Sequence, residues 1–306
     1  MNRVAVLYSR RPEAGIIDRE EYRLLLQRGL MLATETDSLT AAVKKLFGLG
    51  AVGMKTNCLV GRQNSTPVAL TEALGDLLED CNLDANEIIV WERTSRELER
   101  AGYKLNAAST GRRCLGTDSH PHRYGSEFFS YGQVNSLVSA LLVEEITSHI
   151  NVPVLKDHSI AGLSGGLKNM YGAVHNPNKY HDNHCNPYAA HVSALPPIRD
   201  KHRLTVIDAS RIQYDKGPGF MSNTMAPYGA IIVSTDPVAA DSVGLYILEK
   251  LRRSHGLPTL EQAGRPAGYL EEAARIGLGQ NRLDQITVVR EQLLDTGRFS
   301  PREDTE

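Results

Sequence analysis

Residues 151–185 read NVPVLKDHSIAGLSGGLKNMYGAVHNPNKYHDNHC, and the first half of this stretch decides the fold. Val152, Pro153, Val154 and Leu155 form an apolar run of β-formers, with proline near its start where a missing donor does least harm. Lys156, Asp157 and His158 follow as polar groups at the carboxyl end of a buried strand. That end is where open α/β sheets place their ligands. Ala161-Gly162-Leu163-Ser164-Gly165-Gly166 then lets the backbone approach a ligand closely, and Ser164 or Gly165 can open a helix over Leu167 to Tyr171. Strand, glycine-rich turn and helix in that order predict an α/β protein.

Working outward, the same alternation recurs. Strands are expected at Val4–Tyr8, Val52–Thr56, Ile88–Trp91, Leu204–Asp208, Ile231–Ser234 and Ile286–Val289. Helices are expected at Leu39–Phe47, Val68–Leu78, Ser95–Ala101, Val238–Leu251 and Tyr269–Ile276. Thr66-Pro67 supplies a cap and first position for the second of these, Gly102 ends the third, and Asp236-Pro237 caps the fourth. Strands separated by helices imply a mostly parallel sheet flanked by helices on both faces. Residues 1–297 form either one domain or two lobes meeting near 115–155, and the polar tail 298–306 is expected to be disordered.

Composition narrows the function classes. A chain of 306 residues buries roughly 75% of its unfolded surface. With 41% hydrophobic residues and a net charge of −2 it reads as an ordinary soluble globular protein. No basic stripe or RNA-reading motif is present, so neither nucleic acid nor a membrane is an expected partner. Cys58, Cys81, Cys114 and Cys185 are scattered, which gives neither a local iron–sulfur cage nor a disulfide framework. The opening Arg10-Arg11 pair runs into charged residues rather than an apolar signal segment, so a cytoplasmic location is expected.

Chemistry concentrates between positions 156 and 202. Six of the ten histidines (His158, His175, His181, His184, His191 and His202) fall there, alongside Lys156 and Lys168. Lys168 in the first helical turn faces the positive end of the helix dipole, which disfavours its charged form and makes the amine more nucleophilic. A structural turn with a surface lysine is the competing reading. His181-x2-His184-Cys185 with Asp182 offers three or four metal donors in five residues, with ordinary loop hydrogen bonding as its alternative. Asp208, at the end of the LTVID strand, is a candidate catalytic acid. Ser164, Gly165, Gly166 and the two lysines predict binding of a small anion or a phosphate-bearing cofactor.

These motifs resemble two families. The strand ending in Lys-x-His, the glycine-rich turn, Lys168-Asn169 with Tyr171-Gly172, the Asp215-Lys216-Gly217-Pro218-Gly219 loop and Ser234-Thr235-Asp236-Pro237-Val238-Ala239-Ala240-Asp241 together resemble domain-of-unknown-function family 362, over roughly Ala51 to Arg290. More distantly, His158-x2-Ala161-Gly162-x-Ser164-Gly165-Gly166-x-Lys168 resembles the motif of the nickel-pincer lactate racemases. That resemblance implies His158 as a proton-transfer base, Lys168 as the tether of a pincer-type nucleotide cofactor and His184 as a nickel ligand. It departs in two ways. The racemases' further catalytic histidine and acidic/arginine pair have only Asn57, Arg62 and His120 or His122 as stand-ins, and Asn169 replaces a small hydroxyl residue. The first resemblance also implies iron–sulfur relatives and relatives exported by the twin-arginine route.

Three function classes follow. The leading expectation is a metal- or cofactor-dependent enzyme, with nickel or iron as candidate metals, acting on a small anionic substrate by racemase-like proton or hydride transfer at a hydroxy-acid carbon. The others are a redox accessory protein and a non-catalytic cofactor- or metal-binding protein.

Overall fold

The computed structural model describes residues 2–108 and 110–303. The strands are β1 (Arg3–Tyr8), β2 (Ala51–Thr56), β3 (Ile88–Glu92), β4 (Arg113–Gly116), β5 (Phe129–Tyr131), β6 (Val134–Ser136), β7 (Ile146–Val152), β8 (Val154–His158), β9 (Gly162–Ser164), β10 (His202–Gln213), β11 (Met225–Ser234), β12 (Thr287–Leu293) and β13 (Phe299–Pro301). The helices are α1 (Arg19–Thr34), α2 (Leu39–Leu46), α3 (Val68–Asp80), α4 (Ser95–Ala101), α5 (Gly166–Asn169), α6 (Tyr188–Ser193), α7 (Pro196–Arg199), α8 (Pro237–Ser254) and α9 (Tyr269–Arg275).

One large sheet runs in the order β13-β12-β1-β11-β10-β7-β2-β3-β4, with β8 and β9 attached beside β10. Most pairings are parallel; β11 is antiparallel to both β1 and β10. Both halves of the chain contribute to it, since β7 lies between β10 and β2. Alternation along each strand divides the core into two layers. Ala5 and Leu7 of β1 pack with α1, α2 and α3 on one face, while Val4, Val6 and Tyr8 pack with α6, α8 and α9 on the other. No helix of the described residues is long and apolar enough to cross a membrane.

Local signals explain most boundaries. Asp236 accepts hydrogen bonds from Val238 N and Ala239 N at 2.9 and 2.8 Å, with Pro237 in the first turn, so its side chain caps α8. Gly102 ends α4 in the left-handed region at φ 98°.

The structure also corrects the sequence reading. Thr66 does not cap α3. Its hydroxyl donates to Val152 O at 2.6 Å and accepts from Asn57 N at 2.8 Å, leaving Pro67 as the uncapped boundary residue. Pro153 separates two strands instead of opening one, and its carbonyl accepts from Asp208 N. The expected disordered tail contains β13, because Phe299 packs against the core while a turn at Gly297 (φ 77°) returns the chain antiparallel to β12. Residues 304–306 lie outside the described part. α1, unpredicted, is capped by Asp18 and buries Tyr22, Leu25, Leu26 and Leu30.

Candidate functional site

The strand β8 divides its side chains between two environments. Lys156 and His158, two residues apart, share one face and line a cleft of about 320 Å³. Asp157 points the other way and is fully buried against Arg252 and Arg265. The same carboxylate accepts from Gly217 N at 2.8 Å, and a Cβ on Gly217 would sit 1.9 Å from Asp157 O, so only glycine permits that approach. The contact holds the following Pro218 at the cleft wall. Lys55 and Glu92, near the carboxyl ends of β2 and β3, complete the floor. The cleft therefore lies at the carboxyl ends of parallel strands.

The lysines differ in their partners. Lys55 donates to Glu92 Oε1 at 2.6 Å and to Thr56 O at 2.7 Å, a satisfied buried pair. Lys156, 1% exposed, donates to Asn57 Oδ1 at 2.9 Å and to Asn64 O at 3.0 Å, which leaves one of its three protons free. Lys168, 9% exposed, donates to His181 Nε2 at 3.1 Å and sits 3.6 Å from the centre of the Tyr171 ring. Neither Lys156 nor Lys168 forms an ion pair among the described residues. Burial accordingly lowers both amines from 10.5 to about 8.

His158 Nδ1 accepts from the backbone N–H groups of Ile160 and Ala161, at 3.1 and 3.2 Å. With Nδ1 committed as an acceptor, the neutral ring carries its proton on Nε2. Burial, and next the charge of Lys168, drives its pKa down to about 3, so the ring stays neutral. His158 is thus a hydrogen-bond donor in its resting state, in place of the free base implied by the racemase motif. His181 has the opposite tautomer, since its Nε2 accepts from Lys168 and its Nδ1–H donates to Asn178 O at 3.3 Å. Burial also lowers its pKa.

The polar floor explains Asn57 and Asn169. Asn57 Nδ2 donates to Asn169 Oδ1 at 3.2 Å, and Asn169 Nδ2 donates to Asn151 Oδ1 at 2.7 Å. This amide chain fixes Asn57 with its oxygen toward Lys156. The residue after Lys168 is therefore part of the frame that orients Lys156.

Other expected site residues lie elsewhere. Ser164 lines the cleft, but Gly165 and Gly166 do not. The amides of Gly166 and Leu167 donate to the fully buried carboxylate of Asp241, at 2.6 and 2.9 Å, and a Cβ on Gly165 would meet Asp241 Oδ1 at 2.4 Å. An internal carboxylate thus fills the helix start expected to hold a phosphate. Arg62 is exposed on a short turn beside Gly102. Asp208 is buried between β10 and α1, where it accepts from Tyr22 and Ser210 hydroxyls, and burial pushes its pKa up to about 6. His184 does not line the cleft; its Nδ1 faces Ile160 O at 3.1 Å from a left-handed backbone. Cys185 is fully buried and burial raises its thiol pKa.

His181, His184 and Cys185 consequently do not converge as metal ligands. Among the described residues one group of three candidate ligands lies within coordinating range of a common centre, and it is His120, His122 and Glu144. The four cysteines form no such group. A nickel pincer tethered at Lys168 would need His184 within the same cleft, so the residues present do not fit that group and no step is routed through it. Lys55, Glu92 and Tyr171 are cleft residues that sequence reasoning missed, although the first two carry the same signal as Lys156, a polar residue near a strand's carboxyl end.

A lysine-rich cleft at the carboxyl ends of parallel strands marks this chain as an α/β protein with a polar cleft. The profile of the family described as Domain of unknown function (DUF362) matches residues 52–246, and the chain belongs to that family. Among solved structures it is similar to a Thermotoga maritima protein, a structural genomics target, at 14% identity and a TM-score of 0.45. The alignment covers 78% of this chain and 59% of that one, so the chain spans about three-fifths of that protein's length. No curated protein matches.

Proposed function

We propose that this chain is an enzyme that binds a small carboxylate in the cleft and moves a proton at the carbon beside the carboxyl group. The observation that carries this reading is the presence of two buried lysines, Lys156 and Lys168, in one cavity without a carboxylate partner for either. Burying an unpaired ammonium is costly, and such perturbed groups concentrate at functional clefts. A small anion supplies the missing countercharge. A cavity of about 320 Å³ suits a compact substrate and lies at the small end of the range for ligand pockets.

Each group has a role that its hydrogen bonds support. With a pKa lowered to about 8, Lys168 is partly neutral near physiological pH, and its amine accepts the proton of the carbon acid. Electrons of the broken C–H bond move into the carboxyl group, giving an enediolate. Lys156, with its free proton, and His158 through Nε2–H stabilise the developing oxygen charge. Lys168 returns its proton to carbon, or exchanges it through His181. Return to the opposite face inverts the carbon and gives isomerisation, and return to the same face gives exchange with solvent.

Solvent exchange tests this directly. Small 2-hydroxy carboxylates incubated with the protein in deuterium oxide should lose their α-proton signal in the NMR spectrum, and Lys168→Met should abolish the loss. Exchange at an unchanged rate in Lys168→Met, or none with any such acid, contradicts the proposal.

A further inference from the structure

A second cluster lies outside the cleft. His120 follows the short turn Thr117–Ser119 after β4, and His122 is two residues on. Facing them is a five-residue π turn, Leu141–Glu145, which presents Glu144 and Glu145. The two segments are locked together behind the cluster, with the buried hydroxyls of Thr117 and Ser139 2.6 Å apart and Ala140 N donating to Arg123 O at 2.9 Å.

We propose that His120, His122 and Glu144 bind a divalent transition-metal ion of the zinc type. One ligand atom from each lies within 4.8 Å of the others. Ligands of a tetrahedral ion with bonds of about 2.0–2.1 Å lie about 3.3 Å apart. His122 Nδ1 is already 3.0 Å from Glu144 Oε2, His120 Nε2 is 4.0 Å from the same oxygen, and the two imidazole nitrogens lie within 4.8 Å, so closure needs shifts of at most about 1.5 Å. Imidazole nitrogens with a carboxylate oxygen favour zinc and its neighbours over magnesium or calcium. Glu145 Oε1, 3.0 Å from His120 Nε2 and also paired with Arg113, is placed to accept or replace the fourth ligand.

Binding exchanges protons within the cluster. His120 Nδ1 now accepts from His122 N at 3.2 Å, which puts the ring proton on Nε2, facing Glu145. A metal at Nε2 displaces that proton, and the neutral ring takes one up on Nδ1 in place of the backbone contact. The same turn supports the cleft wall, since Asp118 Oδ1 accepts from Ser95 N at 2.8 Å at the start of α4, the helix that carries Glu97. An occupied site braces that wall.

Titration of the chelator-stripped full chain with zinc sulfate in a calorimeter tests the assignment. One equivalent is expected, with affinity lowered at least about tenfold by His122→Ala and by Glu144→Gln. His181→Ala and His184→Ala should bind as wild type does. His122 is largely exposed, so its variant should keep the wild-type circular dichroism spectrum. Absence of zinc binding by the wild type, wild-type affinity in His122→Ala, or a loss produced by His181→Ala or His184→Ala in its place would overturn the proposal.

Discussion

The amine of Lys168 lies 3.1 Å from Nε2 of His181, an ammonium donating to a neutral imidazole with no carboxylate paired to the lysine. Burial holds both groups below their ordinary pKa values. Lys156 and His158 flank the pair from the adjoining strand, one contributing charge and the other an N–H.

Lys168 should therefore react as a low-pKa amine. Labelling with fluorodinitrobenzene, followed by peptide mass analysis, is expected to modify Lys168 with half-maximal rate near pH 8. An ordinary surface lysine reaches that point near pH 10.4. A Lys168 profile centred at the ordinary value would remove the acid–base role.

Stability should record the same shift at Lys156. Below about pH 8 both folded and unfolded chains hold the proton on this amine; between about 8 and 10.5 the unfolded chain holds it and the folded chain does not. Unfolding free energy from Lys156 thus rises with pH across that window. Subtracting the pH profile of Lys156→Met from that of wild type isolates the contribution from the tyrosines and cysteines that titrate in the opposite sense. A flat or falling difference would show that Lys156 is not desolvated.

Asp241 is predicted to be structural despite its place beside the glycine-rich turn. Replacement by alanine leaves two buried amide donors, Gly166 N and Leu167 N, without an acceptor, at a cost of about 2–4 kcal/mol in denaturant unfolding. Asp241→Asn retains one acceptor oxygen and should cost less. A loss below about 0.5 kcal/mol for the alanine variant would mean that the helix start finds another anion.

How legible the site was depended on the range of each interaction. Lys156, His158 and Lys168 were readable because strand alternation and a glycine-rich turn are local patterns, and local patterns survive in sequence. The role of Gly165 and Gly166 was not, because their partner is Asp241, 75 residues from Gly166. His184 kept a suggestive spacing from Lys168, yet a run of left-handed residues at Asn183, His184 and Cys185 turns the loop so that His181 meets the lysine. Asp208 looked catalytic as a carboxylate at a strand end; the unpredicted α1 brings Tyr22 onto it and makes it a buried anchor. The mostly parallel sheet followed from strand and helix alternation, whereas α1 was hidden by the charged residues of its exposed face.

If Lys156 and Lys168 together form an anion site, calorimetric titration with oxalate at pH 7 will register it. Oxalate resembles a planar enediolate and carries the countercharge that both lysines lack. One equivalent should bind to wild type, with binding lost in Lys156→Met and in Lys168→Met but retained in the remote Asp208→Asn. Failure of the wild type to bind oxalate, or undiminished binding in both lysine variants, would contradict the account.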